Sequence, residues 1–108
     1  MIKVYQIQLT DAEIDIANRE ESTPRIKAFF NKSFDSTFKA ENFQYYDHVA
    51  NVDVAANDVE EAFRLMNLWD DKSKVEKFGR CSSMSVGDIL ETEDGSKYRC
   101  ATFGFDAL

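Results

Sequence analysis

The sequence predicts an α+β fold: one small domain in which an antiparallel sheet, with a C-terminal β-hairpin, is packed by two or three helices. Three observations favour this class. Residues 2–9 alternate with the period of a strand, and residues 58–69 carry an apolar stripe at helical spacing. Residues 83–105 hold two patterned segments around an Asp-Gly turn. A length of 108 residues fits a single domain over 1–108.

The N-terminal segment predicts a strand followed by a short helix. Over residues 2–9, apolar and polar side chains alternate and several apolar ones are β-branched, which is typical of a strand. Thr10 followed by Glu13 fits a capping box, in which each side chain accepts a hydrogen bond from the other residue's backbone N–H. A short helix is therefore expected over residues 11–19.

A second helix is expected from Pro24 to about Ser33. Thr23 is a favourable N-cap residue, and proline is favoured at the first helical position. This helix lies in the densest aromatic region of the chain, where most rings should be core. Any ring left exposed would mark a surface for a partner or for a dimer. The phenylalanines concerned are Phe29, Phe30, Phe34, Phe38 and Phe43.

The middle of the chain predicts a strand and then a third helix. Residues 42–54 are aromatic and β-branched with partial alternation, which indicates a strand with an interruption near Asn51. Asp58, or the asparagine before it, then caps a helix over residues 58–69. Acidic residues in its first turn complement the positive end of the helix dipole, so their clustering has a structural explanation.

The C-terminal part predicts a hairpin rich in turns. All four glycines follow Phe78, and the only proline lies far upstream. The strands of the hairpin are expected over residues 83–91 and 97–105, joined at Asp94-Gly95. Gly87 interrupts the first of these strands, which suggests a bulge or the close approach of another backbone. Asp88 after it is interpreted as capping a turn or binding backbone amides, with a ligand contact as the alternative.

The order of these segments resembles the YodL-like domain, a small domain of phages, plasmids and other mobile elements. The resemblance rests on four pieces of sequence: residues 3–7 (KVYQI), residues 46–67 with Phe63 and Asn67, residues 82–90 (SSMSVGDIL), and residues 103–105 (FGF). Residues 12–40 have no counterpart in that pattern. The resemblance implies origin in a mobile element and an association with counter-defence proteins. Its candidate interaction or motif residues are Ser83, Ser85, Gly87, Asp88, Gly104 and Phe105.

The charge and the cysteine content restrict which classes of partner and which cellular compartment we expect. The chain has 20 acidic and 13 basic residues, a net charge of −7, which argues against direct binding to nucleic acid through phosphates. The segment from Asp47 to Lys77 contains eight acidic and four basic residues. This local excess of acidic residues predicts either a solvated face or an acidic surface that binds a basic partner. No apolar run of about 20 residues indicates a membrane span. Without a signal-peptide pattern, and with only Cys81 and Cys100, we expect the reducing cytoplasm of a bacterial host.

Catalytic, cofactor and metal sites are not predicted. His48 is the only histidine, so a two-histidine centre is excluded, and a pair with Cys81 or Cys100 lacks an orienting acid in the sequence. A structural zinc site needs about four closely spaced ligands, which the sequence does not supply. Phosphate-binding and nucleophile-elbow glycine motifs are also missing.

These observations predict a non-enzymatic protein of a phage or mobile element that binds and modulates a host protein, with counter-defence as one setting. A homodimer is left open. The alternatives are a small-molecule or nucleotide binding module that uses the glycine-rich hairpin as a pocket wall, and an acidic DNA mimic that inhibits a nucleic-acid enzyme. For the DNA mimic, a net charge of −7 is sparse, since duplex DNA carries a charge every ~1.7 Å.

Overall fold

Six strands form the framework of the fold. In the computed structural model, which describes residues 1–33 and 39–108, they are β1 (Ile2–Gln6), β2 (Asp47–Val52), β3 (Val75–Lys77), β4 (Ile89–Glu91), β5 (Lys97–Cys100) and β6 (Phe105–Ala107). They join in one sheet in the order β3-β2-β1-β4-β5-β6, and every neighbouring pair is antiparallel. The predicted α+β class with a C-terminal hairpin is confirmed.

The described ranges contain three α-helices, which begin where their caps predict: α1 (Asp11–Asn18), α2 (Pro24–Asn31) and α3 (Val59–Leu68). The capping box of α1 is present, with 2.9 Å from the Thr10 nitrogen to Glu13 Oε1 and 3.2 Å from the Glu13 nitrogen to Thr10 Oγ1. Thr23 caps α2, and Asp58 caps α3. Helix α2 ends two residues before the predicted Ser33, and no helix in the described ranges is long and apolar enough to cross a membrane.

The strand predicted over residues 42–54 is correct only in its second half. Its first half belongs to a 3-10 helix, Ala40–Tyr45, and only β2 pairs with the sheet. The aromatic residues of this segment lie over the sheet instead of extending it. Phe43 contacts the ring of Tyr5 edge-on at 4.8 Å and stacks on Tyr46 at 6.1 Å. Aromatic content therefore indicated burial here, and not strand pairing.

The predicted hairpin strands are shorter than expected. In the first, the regular strand β4 begins only at Ile89, and before it Gly87 and Asp88 bond to Cys100 of β5. In the second, the chain turns after Cys100 and returns as β6, so a third strand is added. Gly104 makes this second turn, with φ of +77°, and its carbonyl accepts from the Ala101 nitrogen at 3.0 Å. The turn at Asp94-Gly95 is present, with φ of +88° at Gly95.

Among the described residues, most buried apolar side chains form two clusters. The larger one, which we call the sheet core, lies between the sheet and α3 and includes Val4, Val52, Leu65, Met66 and Leu90. The smaller one, which we call the α2 cluster, consists of Ile7, Leu9, Ile26 and Ala28. Helix α1 contributes no fully buried residue to either cluster. The N-terminal helices are thus attached to the sheet through a core of their own.

Candidate functional site

Asp88 lies at the centre of a buried polar network where α2 meets the sheet. Its Oδ1 atom is 2.8 Å from Lys32 Nζ, and the side chains of Lys32 and Asp88 are 12% and 2% exposed. Its Oδ2 atom accepts from the Ser85 nitrogen at 2.9 Å and from Gln6 Nε2 at 3.1 Å. Burial raises the pKa of Asp88, and Lys32 opposes that rise. The interpretation of Asp88 as an acceptor of backbone amides is confirmed, and both carboxylate oxygens are engaged within the protein.

Gly87 allows the backbone of Lys32 to approach the sheet. The φ of Gly87 is +93°, and a Cβ atom there would lie 2.1 Å from the carbonyl oxygen of Lys32. The same oxygen accepts from Arg99 Nη2 at 2.7 Å. The Gly87 nitrogen also donates to the Cys100 carbonyl at 2.7 Å, and the Cys100 nitrogen donates to the Asp88 carbonyl at 2.8 Å, so Gly87 and Asp88 together oppose Cys100 in a bulge. The predicted bulge and the predicted close approach are both confirmed. We call the contacts of Lys32 with Gly87, Asp88 and Arg99 the Lys32 anchor.

The two serines of the resemblance motif also make contacts within the protein. Ser83 Oγ accepts from Trp69 Nε1 at 3.2 Å, next to the C-terminal end of α3. Ser85 Oγ accepts from Lys32 Nζ at 3.2 Å. Ser83, Ser85, Gly87 and Asp88 therefore hold residues 83–88 against α2 and α3. Their arrangement accounts for the spacing of the motif without any reacting group.

Gly104, Phe105 and Ser85 line an apolar cleft of about 590 Å³, which we call the α3–β6 cleft. Phe105 packs edge-on against Phe63 of α3, with ring centroids 5.8 Å apart. Apolar surface dominates the lining, and Glu60 is its only charged side chain within the described ranges. Phe103, in the turn beside the cleft, is 93% exposed. An apolar cleft next to an almost fully exposed phenylalanine is a surface suited to binding.

The described part of the phenylalanine-rich region divides between core and surface. Phe29 packs against the α2 cluster, whereas Phe30 is 56% exposed. The two rings meet edge-on at 5.3 Å and border a groove of about 280 Å³ between α1 and α2. Phe34 and Phe38 lie outside the described residues. Of these two neighbouring phenylalanines, Phe29 therefore belongs to the core, and Phe30 lies on the surface that an interface would use.

The thiols and the histidine are not arranged for nucleophilic chemistry. Both cysteines are free, and burial, followed by the charge of Asp88, raises the pKa of Cys100 to about 12. Burial also raises the pKa of Cys81. His48 Nε2 lies 2.7 Å from Asn51 Oδ1, on the exposed surface of β2. Among the described residues, no three His, Cys, Asp or Glu side chains are grouped to hold a metal ion.

The sequence-based reasoning missed several residues that build the site. Lys32 and Arg99 were not singled out, because their partners lie 56 and 67 positions away in the chain. Gln6 was part of the opening motif, and its burial on an otherwise apolar strand face was the pattern that could have marked it. Glu60 was explained by the helix dipole alone, although it also borders the cleft. No family model, curated protein or solved structure matches this chain.

Proposed function

We propose that this protein is a non-enzymatic binding protein whose α3–β6 cleft receives a segment of another protein. One observation carries the proposal: Phe103 is 93% exposed at the edge of an apolar cleft of about 590 Å³. An exposed phenylalanine lacks the stabilisation of about 1.5–3 kcal/mol that burial would give it, so a partner that covers Phe103 gains this free energy on binding. Exposed apolar surface bordered by polar residues is typical of interaction sites.

The chemistry of the other candidate residues supports binding over catalysis. Cys100 is buried and has a pKa of about 12, so its thiolate is scarce at neutral pH. Asp88 is held by Lys32, Ser85 and Gln6, which leaves no free oxygen to act as a general base. The residues of the resemblance motif stabilise the fold and line the cleft, and both roles suit a binding module.

The setting of this binding is part of the same proposal. The resemblance to YodL-like domains favours a protein of a phage or another mobile element that acts on a host protein in the bacterial cytoplasm. Counter-defence is the setting that the resemblance implies. A net charge of −7 favours a basic surface on the partner, because opposite charges speed and orient association.

Cross-linking inside the bacterial host tests the proposal. A photoreactive phenylalanine analogue at position 103 should give one discrete cross-linked host protein. The matched control is the same analogue at Leu68, which is 62% exposed and is not part of the cleft lining. Position 68 should give no such product. If position 103 yields no host product while the variant is folded, the proposal fails.

A second candidate is a small-molecule binding module, because the cleft volume of about 590 Å³ lies within the usual range for ligand pockets, roughly 300–1,000 Å³. Thermal unfolding in the presence of metabolites and nucleotides separates the two candidates. A ligand at 100 times its dissociation constant stabilises the folded state by ~2.7 kcal/mol. An unchanged melting temperature across the panel would exclude this candidate.

A further inference from the structure

β6 is the last strand of the sheet, and its backbone is arranged to accept another strand. The Ala101 nitrogen donates to the Gly104 carbonyl at 3.0 Å, and the Leu108 nitrogen donates to the Lys97 carbonyl at 2.9 Å. In an antiparallel pair, residues alternate between hydrogen-bonded and non-hydrogen-bonded positions. Phe105, which is opposite Cys100, and Ala107 therefore occupy non-hydrogen-bonded positions. Their N–H and C=O groups point away from β5, toward the open edge.

The α3–β6 cleft lies directly beside this edge. The side chain of Phe105 lines it together with Phe63 and Val86, so the cleft opens on the face of the sheet that α3 covers. A strand added to β6 would present alternate side chains to that face, because side chains alternate along a strand. Glu60 at the same lining is acidic, and no basic side chain in the described ranges joins it there. The cleft thus selects an apolar side chain with a basic neighbour on the same face.

We propose that β6 binds an extended segment of a partner protein as an added antiparallel strand. The segment places a large apolar side chain in the α3–β6 cleft and a Lys or Arg, two residues away, next to Glu60. This mode of recognition takes its affinity from backbone hydrogen bonds and its specificity from pockets for alternate side chains. The inference rests on the proposed function, because it names the surface and the chemistry of the partner.

A second copy of the chain fits this edge less well. Pairing β6 with β6 of another copy, in the register that overlaps all three residues, places Asp106 opposite Asp106. Like charges directly opposite each other destabilise a strand pair. Asp106 Oδ2 is 3.8 Å from Arg99 Nη1, and its side chain is 60% exposed, so much of the charge still faces solvent. A basic or neutral residue of a partner avoids this repulsion.

The opposite edge of the sheet serves as an internal control. In β3, the pairing with β2 leaves the N–H group of Lys77 pointing outward by the same alternation, because the Phe78 nitrogen donates to the Val49 carbonyl at 2.9 Å. The N–H group of Val75 donates to the Lys72 carbonyl within its own segment. Lysine on an edge strand disfavours the addition of another strand. Lys77 Nζ lies 4.4 Å from the ring centroid of Trp69.

Selection from a displayed library of random linear nonapeptides tests the inference. Enriched peptides should carry an apolar residue and a Lys or Arg two positions apart. Ala107→Pro removes an outward N–H without removing a bond to β5, and proline is tolerated at such positions of edge strands. We expect it to weaken peptide binding about tenfold, the loss expected for a backbone hydrogen bond. Lys77→Pro, the matched change on the other edge, should leave binding unchanged.

Glu60→Lys keeps the test decisive if Ala107→Pro does not fold. Glu60 is exposed, and in this variant the selected peptides should carry Asp or Glu in place of the basic residue. The inference is overturned by a library without enriched peptides, by peptides that bind Ala107→Pro as tightly as the wild type, or by a dimer that Ala107→Pro dissociates in sedimentation. A cross-link from position 103 that persists unchanged in Ala107→Pro would overturn the strand addition and leave the proposed function standing.

Discussion

Gly87 fixes the position of the C-terminal end of α2, because the absence of a Cβ atom leaves room for the backbone of Lys32. We expect Gly87→Ala to destabilise the protein by about 2 kcal/mol more than Gly95→Ala. Both residues have positive φ, +93° and +88°, which costs a non-glycine residue about 1–2 kcal/mol. Only Gly87 adds a steric clash, since its Cβ would lie 2.1 Å from the Lys32 carbonyl oxygen, whereas nothing lies within 4 Å at Gly95.

Urea unfolding of the two variants measures this difference. The matched glycine separates the backbone strain from the clash, because both substitutions add one methyl group at a similar φ. Equal losses in the free energy of unfolding would mean that the backbone at Lys32 moves away without cost, and that Gly87 does not position α2.

At the scale of elements, the Lys32–Asp88 pair joins α2 to the sheet. Removing one partner of a buried ion pair leaves an uncompensated charge and typically costs about 3–5 kcal/mol. We therefore expect Lys32→Met and Asp88→Asn each to destabilise strongly. The double variant should lose less than the sum of the two, with a coupling energy of about 1–3 kcal/mol. Denaturant unfolding of the four proteins gives this coupling.

The exposed pair of Arg64 and Asp70 is the control for that cycle. Its atoms are also 2.8 Å apart, but its side chains are 44% and 54% exposed. Solvent screening should make its coupling much smaller than that of the Lys32–Asp88 pair. If both cycles gave the same small coupling, the Lys32 anchor would contribute nothing through its charges.

The helices could be predicted from the sequence because their determinants are local. Thr10 with Glu13, Thr23 before Pro24, and Asp58 each cap the helix that follows them within three residues. The strands depend on partners far along the chain, so composition indicated burial without indicating pairing. This is why residues 42–46 were predicted as strand, and why residues 83–86 were placed in the hairpin.

The candidate site could be predicted only where its determinants are local in the sequence. Gly87 and Asp88 were singled out by an interruption in a local pattern, and the close approach at Gly87 was foreseen. What approaches it could not be foreseen, because Lys32 lies in a segment whose local pattern only indicates the end of a helix. The cleft could not be predicted either, because the two parts that line it, α3 and the turn at Gly104, are far apart in the sequence.

At the scale of the whole molecule, the two clusters should differ in stability. Helix α3 contributes three buried residues, Ala62, Leu65 and Met66, to the sheet core, whereas α1 contributes none to either cluster. Elements with few buried apolar contacts open locally at lower free energy than the core. We therefore expect the amides of α1 to exchange with deuterium first, those of α2 next, and those of α3 and β1 only near global unfolding.

The Lys32 anchor makes this order testable in a variant. Lys32→Met removes the ammonium that holds α2 to Asp88, so it should increase hydrogen exchange in α2 as well as in α3 and β1. A substitution that merely lowered global stability would accelerate the most protected amides of α3 and β1 and leave α2, which already exchanges by local opening, almost unchanged. Acceleration that includes α2 would therefore identify the anchor as the link between the N-terminal helices and the sheet. Acceleration confined to α3 and β1 would contradict it.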